Sequence, residues 1–90
     1  MPQKGSTLVF HFDAKEVFLV MRPGSGSGKM KVFLDDQLVT DQTGEDVVNG
    51  MVTVDVDRLY KLIKLNKPGS HTLKLEFLDD NLELYAFTFG

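Results

Sequence analysis

Alternation with a period of two runs through most of this chain and leaves it few folds to choose from. Near the start, Leu8, Phe10 and Phe12 share one face of an extended segment, while Thr7, Val9 and His11 share the other. Further on, Leu73, Leu75 and Phe77 alternate with Thr72, Lys74 and Glu76, and Met30, Val32 and Leu34 alternate with Lys31, Phe33 and Asp35. Tyr85, Phe87 and Phe89 alternate with Leu84, Ala86 and Thr88 at the end. Extended backbone turns successive side chains to opposite faces, so each run reads as an antiparallel strand with one buried side and one wet side. Val, Thr, Phe and Tyr also suit a pleated surface, so propensity agrees with pattern.

Turn residues punctuate these runs at short spacing. They are Asp13-Ala14-Lys15, the Gly/Ser-rich Pro23 to Gly28, Asp35-Asp36-Gln37, Asn49-Gly50, Pro68-Gly69-Ser70 and Asp79-Asp80-Asn81. Asn49-Gly50 is the strongest of them, because both residues tolerate the positive φ of a two-residue hairpin turn. About seven or eight short strands in one small chain predict an all-β, antiparallel β-sandwich of jelly-roll type. Residues 7–90 form that single domain, and residues 1–6 read as linker or leftover sequence. One stretch reads two ways. Leu59, Leu62 and Ile63 have helical spacing, while Ile63 and Leu65 alternate about Lys64. The expectation is one helical turn over 57–60, then a strand over 61–65.

Composition narrows function mainly by exclusion. With 90 residues there is room for one core. Zero Cys excludes disulfides, thiolate metal sites and thiol catalysis carried by this chain itself. Thirteen acidic against ten basic side chains argue against nucleic acid, which needs a clustered basic face. No apolar run approaches the ~20 residues of a membrane-spanning helix, so no membrane insertion is expected. Neither His11 nor His71 accompanies a hydrolase, zinc or phosphate motif, and both read as exposed histidines on strands. The acidic turns lack the spaced Asp ligands of a calcium loop. No catalytic residue, metal or cofactor is expected, and the chain reads as a non-enzyme.

Binding is the remaining class. A sugar is held by an aromatic face against the ring and by polar groups that pair with its hydroxyls. Trp, the best platform, is absent. The candidates are therefore Tyr60 and Tyr85, with Arg22, Arg58, Asp35 and Gln37 as polar partners; the other reading of each Tyr is a buried ring with its hydroxyl at the rim. The second strand is apolar on both faces, with Val17, Leu19 and Met21 on one and Phe18 and Val20 on the other. Such a strand is either covered twice or lines a contact surface, and Phe18, Val20 and Phe33 make the candidate partner face.

Six segments occur here in the same order as in a known domain. They are Val17 to Met21, Val32 to Asp36, Gly50 to Asp55, Arg58 to Leu62, Gly69 to Phe77, and the closing Tyr85-Ala86-Phe87-Thr88-Phe89-Gly90. Over roughly residues 8 to 90 the chain resembles the C-terminal domain of DipZ-type thioredoxin-like proteins, bacterial envelope thiol-disulfide proteins. The resemblance implies a β-sandwich similar to carbohydrate-binding modules, appended to a neighbouring thioredoxin-like domain that carries the redox cysteines. It implies an accessory role, with carbohydrate or substrate protein as ligand, and an extracytoplasmic location. A competing role is structural: packing against the thioredoxin-like domain to stabilise or gate it.

Overall fold

The computed structural model describes residues 4–24, 26–39, 43–79 and 82–90. Its strands are β1 (Thr7–Pro23), β2 (Gly28–Leu34), β3 (Gln37–Leu38), β4 (Met51–Val54), β5 (Arg58–Phe77) and β6 (Leu82–Phe89). They hydrogen-bond in the order β3-β2-β5-β1-β6, with β4 also on β2, and every pairing is antiparallel. Among the described residues no helix forms, so none is long and apolar enough to cross a membrane.

Two strands are far longer than expected, and both bend at the same place. β1 and β5 pair from Thr7↔Glu76 to Ala14↔Gly69, and pairing resumes at Glu16↔Lys64. The break leaves Lys15 of β1 and Leu65 to Pro68 of β5 outside the β1–β5 ladder, and the Lys15 N–H donates instead to the Gly90 carbonyl (2.9 Å). Asp13-Ala14-Lys15 and Pro68-Gly69-Ser70, read in sequence as turns, are therefore two sides of one corner where the sheet changes direction without ending a strand. Counting each long strand as two halves gives eight, in line with expectation.

The bend folds the sheet over its own apolar side. Phe10, before the corner, has its ring 4.4 Å from that of Phe87 on β6, which pairs with β1 only beyond the corner. Both halves thus contribute to one core, including Val17, Leu19, Met21, Met30, Val32, Leu73, Leu75 and Phe77. This is the all-β antiparallel sandwich anticipated from the alternation. Asn49 (φ 52°) and Gly50 (φ 77°) form the expected hairpin turn, with Val48 and Met51 bridged across it.

The helical turn expected over 57–60 is not formed; Arg58 opens β5 and the backbone stays extended. The cause is a bulge. Val17 pairs with Ile63 but Phe18 with Lys61, so Leu62 is an extra residue, and Leu62 and Ile63 are both buried. Two adjacent apolar residues on one side of a strand imitate helical spacing. Of the six leading residues, 1–3 lie outside the described residues. Gly5 donates its N–H to the Phe77 carbonyl, and Phe77 donates to that of Ser6, so backbone pairing begins ahead of Thr7. The turn at Asp79-Asp80-Asn81 falls partly outside the described residues.

Candidate functional site

The six sequence-derived ligand candidates occupy three separate places. Arg58 and Tyr60 are at the start of β5. Tyr60 is fully buried, and its hydroxyl donates to the Val56 carbonyl (2.7 Å) and accepts from the backbone N–H of Asp55 (3.2 Å) and Val56 (3.3 Å). The Arg58 guanidinium lies 4.0 Å above the ring and donates to Asp46 (2.7 Å). Asp46 also accepts from the Lys61 N–H (2.7 Å), and the Arg58 bond, with that second one, holds its carboxyl below the usual range. Tyr60 therefore has no face to offer a sugar. It ties the β4–β5 connection to the core, with Arg58 as its cover.

Tyr85 stands apart on β6 and is 57% exposed. Nearby, Arg22 donates to Glu83 (3.2 Å) and lies 4.0 Å from Asp57; Glu83 first, then Tyr85, raises its pKa. Phe18 and Val20 do point outward from the second half of the sheet, beside Lys61 and Thr88 and between Leu59 and Ala86 respectively. Leu59 is 39% exposed. Phe33 does not join that face. It lies on β2, pairs with Lys74 and Leu38 on the far side of the corner, and is capped by the Lys74 ammonium 4.6 Å from its ring. The candidate partner face is thus reduced to Phe18 and Val20, with Leu59 and Ala86 beside Val20. It borders a groove of ≈ 420 Å³ whose rim includes Glu45, Lys61 and Lys64.

Asp35 and Gln37 are at the opposite end, and here residues that sequence reading set aside come together. Register places His11 opposite Thr72 and Phe12 opposite His71. Asp35, leaving β2, accepts from the Thr72 N–H (2.9 Å) and from His71 Nδ1 (2.6 Å), while Thr72 Oγ1 lies 2.8 Å from His11 Nδ1. The His71 bond, reinforced by the Thr72 N–H, lowers the Asp35 pKa. An ionised carboxylate can only accept, so His71 Nδ1 carries the proton and a neutral ring presents Nε2 as a lone pair. These groups line an open groove of ≈ 390 Å³ with Phe12, Asp13 and Ser70. No feature of either strand alone announces a neighbour some sixty residues away, which is why both histidines looked unremarkable.

A strand-bent antiparallel sandwich with a polar groove at the His71 end and an apolar outer strip at Val20 defines a small β-sandwich module. The chain belongs to the family described as thioredoxin-like C-terminal domain, which it matches over residues 1–90. No curated protein matches it significantly. Among solved structures it is similar to a family two carbohydrate esterase from Clostridium thermocellum in complex with cellohexaose, with TM-score 0.74 and 18% identity over 98% of this chain and 25% of that one. It is also similar to a family two carbohydrate esterase from Cellvibrio japonicus, with TM-score 0.71 and 13% identity over 97% of this chain and 24% of that one. The chain therefore spans about a quarter of those structures, and the likeness is one of fold.

Proposed function

We propose that this domain is a non-catalytic accessory module of a thioredoxin-like thiol-disulfide oxidoreductase. It holds a carbohydrate or a substrate protein close to the redox domain, outside the cytoplasm. The supporting observation is that a thioredoxin-like C-terminal domain accounts for all 90 residues while the chain has no Cys. Thiol-disulfide exchange needs thiolates, so the neighbouring domain must provide them. The fold likeness to esterases, one of them in complex with cellohexaose, supports carbohydrate as ligand. Tethering turns the second encounter into an intramolecular one and raises the local concentration of the redox partner. Deleting the domain from the parent protein should leave turnover of a small soluble disulfide unchanged. Turnover of a carbohydrate-anchored disulfide should fall by about 10². Equal activity on both substrates would rule out the accessory role in targeting.

A second reading follows from the Phe18–Val20 face. Leu59, Val20 and Ala86 form a row across three strands, an apolar strip suited to packing against the thioredoxin-like domain. Phe18→Ser in the parent protein should then loosen the domains, seen as faster proteolysis between them. This domain itself should lose no more than about 1 kcal/mol, because Phe18 lies outside the core. If the isolated domain unfolds instead, Phe18 is core and the docking face does not exist.

A further inference from the structure

Resting on the carbohydrate reading above, we infer that the ligand sits in the groove of His11, Asp35, His71 and Thr72, where a sugar residue donates its hydroxyl protons to a ring of acceptors. The first argument is chemical. The lining side chains offer two carboxylates (Asp13 and Asp35), two imidazoles and two hydroxyls (Ser70 and Thr72), and include no Lys or Arg. Such a surface repels phosphate and sulfate and rewards a neutral ligand rich in O–H donors. Among the described residues no three of the acids and imidazoles are grouped so as to hold a metal ion, which weakens the case for a cation.

The second argument is conformational. Asp35 (φ 51°) and Asp36 (φ 67°) form a two-residue turn in the left-handed region, which Gly, Asn and Asp tolerate and most other residues do not. The same chain uses Asn49-Gly50 where only a turn is required. At 35 it uses the one of those three residue types that carries a carboxylate, and that carboxylate orients His71. The third argument is access. A Cβ placed on Gly69 would come within 3.2 Å of His71 Nε2, so any larger residue there would crowd that edge of the ring. An imidazole oriented by a carboxylate and lining an open groove, with its side chain 29% exposed, serves a ligand better than it serves the fold.

The test is a titration of the folded domain with cellohexaose, xylohexaose, chitotetraose and mannotetraose, followed by backbone and imidazole NMR. Signals of 11–13, 35 and 70–72 should move for at least one sugar. Asp35→Asn and His71→Ala should each weaken binding about tenfold or more. Asn tolerates the φ of residue 35 and can still accept from Thr72, so Asp35→Asn keeps the turn; should either variant unfold, the other and the shift map decide. A sugar that binds at the Tyr85 and Val20 face, or that ignores both substitutions, overturns the groove assignment while the carbohydrate reading stands. Silence of every sugar overturns both. A response to calcium or alkylammonium alone overturns the groove as a sugar site.

Discussion

Tyr60→Ala will destabilise the domain by about 3–5 kcal/mol, the range for removing a fully buried aromatic ring. Tyr60→Phe will cost about 1–2 kcal/mol. The ring sits opposite Leu19 in the centre of the second half-sheet, and its hydroxyl satisfies two N–H groups and one carbonyl of Asp55-Val56. Truncation removes both the packing and the pin that holds the three-residue connection between β4 and β5. For a domain of this size each kcal/mol moves Tm by roughly 4–8 °C, so thermal unfolding resolves both variants. Tyr60→Phe is the sharper case because it keeps the core filled. Its cost should appear as faster amide exchange confined to 55–60. An unchanged Tm and unchanged exchange in Tyr60→Phe would mean that the connection does not depend on the phenol. A sugar site at Tyr60 predicts a different pattern: Tyr60→Phe would leave stability intact and cost affinity.

That case shows where sequence information runs out. The fold was legible because burial on a strand is written into every second residue: Leu8, Phe10, Phe12 and Leu73, Leu75, Phe77 state their faces without reference to any partner. The Asn49-Gly50 hairpin was legible because its two φ values are a property of those residues alone. What could not be read was anything that depends on register. The corner at Lys15 opposite Leu65 to Pro68 looked like two turns because Pro, Gly and Asp mark a chain that ceases to pair, whether it reverses or merely bends. Leu62-Ile63 looked helical because a bulge and a helix both put neighbours on one side. The polar groove depends on His11 meeting Thr72 and on His71 meeting a carboxylate 36 residues earlier, a matter of alignment between β1, β2 and β5. Asp35 was found by residue type; its partners needed the register.

Gly44→Ala will destabilise the domain by about 2–4 kcal/mol although it adds a single methyl, because residue 44 is buried against β5. The segment after β3 runs along the free edge of β5. Thr43 bridges Ile63, and Gly44 donates its N–H to the Leu62 carbonyl (3.1 Å). A Cβ at 44 would overlap the carbonyl oxygen and carbon of Lys61. Those are backbone atoms held in the β1–β5 ladder, so the clash cannot be relieved by a side-chain rotation. The segment must move away, and Asp46 moves with it. The Lys61 N–H then loses its acceptor and Arg58 its carboxylate, adding about 1–3 kcal/mol to the overpacking cost. The disturbance should stay local. Chemical shifts should change over 43–48 and 58–63, and the Glu45–Lys61 groove beside Phe18 should widen. Shifts at 35 and 70–72 should hold, because 70–72 pair with β1 on the other side of the corner and Asp35 is hydrogen-bonded to Thr72. Sugar binding in the His71 groove should accordingly survive Gly44→Ala at temperatures where the variant is folded. A loss of stability under about 0.5 kcal/mol would show that residue 44 does not abut β5.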